Sequence, residues 1–145
     1  MRCQEVYERK NILFISYISF FAVLCFVYYI LSSNDSFYSG ITGLVLIILY
    51  PVGVFLYGYK TADRFRAPLA GIVSYAFLIL FAVLSISFQN PPGIKNLFLF
   101  AGYHLILLIC LGLTGYLASG KEKMYQALAG LLSVAWILIF LSGIS

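Results

Sequence analysis

The chain has 145 residues, of which 63% are hydrophobic and only 10% charged, with a formal net charge of +4. Soluble domains carry about 25% charged residues and use them to cover a polar surface. This composition excludes an ordinary soluble fold, and the positive charges sit in short clusters between apolar runs, a pattern of membrane orientation rather than of nucleic-acid binding.

A helix crossing the hydrocarbon core needs about 20 consecutive apolar residues. The runs that qualify are Ile12–Leu31, Tyr38–Tyr59, Ala67–Phe88, Leu97–Ala118 and Tyr125–Gly143. They are expected to be helices, because a lone strand leaves its backbone unsatisfied in lipid and the alternation of a barrel strand is absent. The expected fold class is all-α: a polytopic integral membrane protein of five transmembrane helices, forming a single transmembrane domain over residues 1–145.

The first run follows Arg2, Arg9 and Lys10. It is too long for a signal peptide, and Tyr28-Tyr29-Ile30-Leu31-Ser32 is a poor cleavage site, so it is expected to remain as a span. Cys3, beside the membrane, is a candidate for reversible palmitoylation. Cys25 and Cys110 lie inside apolar runs and should behave as small hydrophobes, with no disulfide framework or metal cluster. Phe14, Tyr17, Phe21 and Tyr28 follow helical spacing on the first helix. A polar turn, Ser32–Ser36, comes next, with Asp35 or Ser36 placed to cap the second helix.

Pro51, followed by Gly53, interrupts the second run and frees the carbonyl of Ile47. It reads as a static kink, a hinge or an ion-coordinating carbonyl. Lys60–Arg66 is a charged turn, and Pro68 suits the first turn of the third helix. There Ala67, Gly71 and Ser74 lie near one face, and Ala70-x-x-x-Ser74 is a small-residue pair suited to close helix approach. Gln89-Asn90-Pro91-Pro92-Gly93 must stop that helix. The fourth run holds His104, about 10 Å from its start at 1.5 Å per residue, with Tyr103 beside it. An ionisable residue inside a span is a functional candidate by default. The fifth run, after Ser119–Lys123, carries Ala129, Gly130 and Ser133, again with small-x-x-x-small spacing.

Every Lys and Arg except Lys95 falls on one side of this threading. The amino terminus is therefore expected in the cytoplasm and the carboxyl terminus outside, in a cell membrane. Tyr57, Tyr59, Tyr116 and Tyr125 sit near the cytoplasmic ends, where an aromatic belt is expected.

Residues 43–84 align without gaps with 102–143 at a constant offset of 59. Gly43/Gly102, Gly53/Gly112 and Tyr57/Tyr116 match, as does Leu-Ala-Gly-x-x-Ser-x-Ala at 69–76 and 128–135, and the turn keeps its charge order in Asp63-Arg64 and Glu122-Lys123. The organisation expected is an amino-terminal segment and lone first helix over 1–32, then hairpin repeats over 38–88 and 97–143 running in parallel. His104 aligns with Val45 and Pro51 with Cys110, so neither belongs to the shared pattern.

No Asp or Glu lies inside a run, and there is no P-loop, HExxH or GxSxG motif. No enzyme activity, catalytic residue, metal or cofactor is expected. The expected partners are the lipid bilayer, whose anionic headgroups suit the basic turns, and membrane proteins or further copies of the chain, with no nucleic acid. The leading expectation is a structural or accessory subunit of a membrane complex, and the alternative is a small oligomeric transporter or channel for an ion or small solute. His104, Tyr103 and Pro51 are the candidate functional residues; Ala67, Ala70, Gly71, Ser74, Ala129, Gly130 and Ser133 are the candidate packing residues.

Overall fold

A computed structural model describes the backbone of residues 2–34, 36–89 and 94–142, and side chains within 7–31, 38, 40–84 and 98–142. It is all-helical: α1 Arg2–Asn34, α2 Ser36–Thr61, α3 Arg66–Gln89, α4 Ile94–Ala118 and α5 Lys123–Ser142. All five contain a stretch long and apolar enough to cross a membrane. α1 starts ten residues before the expected Ile12, because Arg2–Asn11 contains no Gly or Pro and several good helix formers. Ser32–Asn34 and Ser36, expected in the polar turn, are helical. Asp35, the Asn90–Gly93 break, the Gly143–Ser145 tail and the side chains of Cys3, Ser36 and Lys95 lie outside the described residues.

The turn between α2 and α3 is built from two caps. Ala62 has φ 46° and its N–H donates to the Gly58 carbonyl at 2.9 Å, closing α2 in the left-handed conformation usually given to glycine. Asp63 then opens α3: its Oδ1 accepts from the N–H groups of Phe65 (3.2 Å) and Arg66 (3.1 Å). Oδ2 lies 3.8 Å from Lys10 Nζ on α1 and 3.6 Å from Arg66 Nη1. Burial alone would raise the Asp63 pKa, but the two N–H donors and the two cations outweigh it and hold the carboxyl below its ordinary value. Arg66 also lies over the Tyr7 ring, and Arg64 over Tyr116 at the end of α4. The start of α1, the α2–α3 turn and the end of α4 therefore meet at one end of the bundle.

α2 packs against all four other helices, and α4 against α2, α3 and α5. Among the described residues the α1 backbone comes close to those of α2 and α3 only, and the α3 and α5 backbones do not come close to each other. The two halves of the bundle are packed differently. Toward the charged turn the backbones approach closely. A Cβ at Gly58 would stand 2.8 Å from the Gly115 carbonyl, one at Gly71 would stand 3.0 Å from the Leu111 carbonyl, and one at Gly115 would collide with the Ala67 carbonyl. Toward the other end large rings are buried between the helices: Tyr50, Tyr75 and Trp136. Tyr50 and Tyr75 meet edge to face, as do Tyr75 and Trp136. Such aromatic pairs add about 0.5–1.5 kcal/mol beyond their buried area. The α1 aromatics form its inward stripe, with Phe14 and Tyr17 against Tyr57 and Phe21 against Tyr50. Tyr57 is thus drawn into the core, whereas Tyr59 and Tyr116 face outward as an aromatic belt would.

Candidate functional site

In the half of the bundle away from the charged turn, a cavity of about 510 Å³ lies among the helices. It draws its wall from every helix: Cys25 and Tyr28 from α1, Tyr50 from α2, Phe81 from α3, His104 from α4, and Trp136 from α5. Small-molecule sites are commonly clefts of about 300–1,000 Å³, mostly apolar with a few placed polar groups, and this cavity has that character.

His104 is 9% exposed and lines the cavity. Its ring is held by Phe100, one helical turn earlier, at a centroid distance of 4.2 Å, and by Tyr103 at 5.2 Å. Its Nδ1 lies 2.7 Å from the Tyr75 hydroxyl across the α3–α4 contact. Tyr75 makes no other hydrogen bond among the described residues, so the arrangement that satisfies both groups has the phenol donating to Nδ1. The imidazole proton is thereby assigned to Nε2, which has no partner among the described residues.

The other polar groups nearby are mostly engaged. The Tyr50 hydroxyl lies 2.7 Å from Cys25 Sγ and donates to the Ser74 carbonyl at 3.2 Å. Trp136 Nε1 donates to the Leu107 carbonyl at 3.1 Å, tying α5 to α4. Cys25 is buried as expected but acts also as a polar neighbour of Tyr50. Tyr28, half-buried on α1, also lines the cavity.

The structure does not bring the three candidate functional residues together. Tyr103, though adjacent to His104, turns away from the cavity and donates its hydroxyl to the Ile139 and Phe140 carbonyls, at 3.1 and 3.0 Å. It brackets the end of α5 against α4. Pro51 is buried inside α2, which runs on through it to Thr61.

The packing candidates divide as well. Ala67, Ala70, Gly71 and Ser74 are buried on the face of α3 that meets the neighbouring helices. Ala129 and Ser133 are buried on α5, while a Cβ at Gly130 would meet nothing within 4 Å. Ser74 and Ser133 donate to the carbonyls of Ala70 and Ala129 in their own helices, at 2.7 and 2.9 Å, rather than across a contact.

Tyr75, Tyr50, Trp136 and Cys25 were not singled out by the sequence as site residues. The signal available was the single tryptophan of the chain, deep in an apolar run with a donor needing a partner. Among the described residues, His, Cys, Asp and Glu nowhere gather in threes. A second, shallower cavity of about 400 Å³ lies between α1 and α2 toward the charged end, where the Tyr17 and Tyr57 hydroxyls are buried without a hydrogen-bond partner among the described residues.

Comparison of the chain with protein-family models, with curated proteins and with solved structures finds no match.

Proposed function

We propose that the chain is a small carrier that binds an uncharged, largely apolar molecule in the outer half of a cell membrane. The cavity carries this reading. It lies at one end of the bundle, while toward the other the glycine and alanine contacts around Gly58, Gly71 and Gly115 draw α2, α3 and α4 together. The accessory-subunit reading drew on the small-residue faces. Those on α3 are occupied within the chain, so they offer a partner no surface.

The orientation belongs to the same proposal: amino terminus in the cytoplasm, with the cavity on the far side. It rests on the Lys and Arg distribution, and the meeting of Lys10, Asp63, Arg66 and Arg64 with the α4 end supports it.

We further propose that α2–α3 and α4–α5 arose by duplication and run in parallel about an axis along the membrane normal. An inner pair α2·α4, with α3 touching α4 and α5 touching α2, is the contact pattern such an axis requires. The Ala67 N–H to Asp63 carbonyl bond and the Gln126 N–H to Glu122 carbonyl bond also sit at offset-related positions. So do the Ser74 and Ser133 bonds.

The test is native mass spectrometry of protein purified from its own membrane, beside Ala82→Phe, which narrows the cavity. A bound small molecule on the wild-type chain, lost from a folded Ala82→Phe, is expected. A wild-type chain carrying no small molecule, or one retained equally by the variant, refutes the proposal.

A further inference from the structure

Resting on the carrier reading, we infer that the cavity recognises a neutral, planar carbonyl compound of the quinone type, with a carbonyl oxygen accepting from His104 Nε2. The argument begins with the open donor. His104 is nine-tenths buried, Tyr75 occupies its Nδ1, and Nε2, with its proton, has no partner among the described residues beside an apolar cavity. A donor left unmade against an apolar occupant is costly, so an occupant bearing an acceptor there is favoured over one without.

The wall narrows the class further. Among the described residues no Lys or Arg lines the cavity, so a carboxylate or phosphate there would be buried without a counter-charge from them, which is strongly unfavourable. The ligand is therefore neutral. Tyr50, Trp136, Phe81 and Phe140 are among the residues lining the space, and flat π systems pack against aromatic walls in offset or edge-to-face geometry. A planar ring carrying a carbonyl meets each requirement. An aliphatic chain meets only the apolar one.

The chain supplies its own reporter. Trp136 is the only tryptophan, is fully buried, and lines the cavity, so an occupant that quenches indole fluorescence reads out directly. The probe is 2,3-dimethyl-1,4-naphthoquinone, whose substituted ring positions resist thiol addition. The comparators are 2,3-dimethylnaphthalene, of the same shape without acceptors, and decanoate. Titrations use the full chain in lipid nanodiscs, with nanodiscs lacking protein correcting for partition.

The quinone is expected to quench saturably and to bind about tenfold more tightly than the hydrocarbon, the ratio for one hydrogen bond to an otherwise unpaired donor. Decanoate should neither quench nor compete. In His104→Phe the quinone-to-hydrocarbon ratio should fall to about one, and in His104→Gln, which keeps a donor, most of it should return. If His104→Phe does not fold, the wild-type ratio and His104→Gln decide the matter. Equal binding of quinone and hydrocarbon by the wild type overturns the inference while leaving the cavity reading in place. Stronger binding of decanoate overturns the neutral class. Failure of every probe to bind or compete counts against the inference and the carrier reading together.

Discussion

Replacing Gly115 by alanine separates the packing described above from a generic apolar contact. The added methyl would enter the Ala67 carbonyl and crowd Pro68 N. These are backbone atoms at the first turn of α3, where Asp63 caps the helix and Pro68 stiffens it, so no flexible side chain can yield. Overpacking costs about 1–3 kcal/mol where neighbours can adjust, and here the upper part of that range is expected, about 2–3 kcal/mol. Gly58→Ala meets the Gly115 carbonyl at 2.8 Å and the Ala118 methyl at 3.0 Å, and should cost less, about 1–2 kcal/mol. Gly130→Ala enters open space and should stay within about 0.5 kcal/mol of wild type. The assay is reversible SDS unfolding in mixed micelles, followed by Trp136 fluorescence. The ranking Gly115 above Gly58 above Gly130 is the expectation. A Gly115→Ala protein as stable as wild type, or a Gly130→Ala protein equally damaged, would refute the assignment of the α3–α4 contact.

Ala62→Gly should stabilise the protein by about 1 kcal/mol, because alanine bears a steric cost in the left-handed region that glycine does not; no change in the SDS midpoint would argue against that backbone conformation. Asp63→Ala should cost about 1 kcal/mol at neutral pH through loss of the α3 cap. The folded carboxyl lies below its ordinary value, so its stabilisation is complete above the unfolded pKa near 3.9 and is lost as pH falls through the folded one. The stability difference between wild type and Asp63→Ala should therefore be flat above about pH 5 and shrink in acid, and a gap that widens on acidification would contradict the sign. A periplasm-active reporter fused after Ser145 should be active outside the cell, and cytoplasmic activity there would overturn the proposed threading.

The helices were legible because lipid makes a simple demand, about 20 apolar residues per crossing, and the breaks between them are chemically abrupt. Their ends were less so. Arg2–Asn11 is polar enough to look like a leader, yet nothing in it breaks a helix, and α1 runs through it. The left-handed Ala62 was hidden because glycine is the usual sign of such a cap, and the α3 cap at Asp63 was obscured by the surrounding charges. Gly71 and Gly130 occupy the same place in the aligned segments, but only Gly71 meets a neighbouring backbone. The reason lies in which helix each faces, and sequence spacing does not carry that.

The cavity was illegible for a related reason: its polar groups are partnered across long separations. Tyr75 and His104 are 29 residues apart, as are Trp136 and Leu107, while Tyr50 and Cys25 are 25 apart. What the sequence did offer was an asymmetry. Under the proposed duplication, Tyr50, Tyr75, His104 and Trp136 align with Ile109, Val134, Val45 and Phe77. Each of these polar rings is thus matched in the alignment by an apolar residue or by phenylalanine. Of the shared glycines only Gly71 meets a neighbouring backbone, and the close approaches at Gly58 and Gly115 belong to one copy each, aligned with Leu117 and Leu56. The unshared rings place donors and acceptors along one end of an otherwise apolar frame. His104 and Tyr75 stand apart from the contacts at Gly58, Gly71 and Gly115, so exchanging them leaves the closest backbone approaches in place. That is why His104 and Tyr75, rather than the conspicuous small-residue pairs, are where selectivity should be sought.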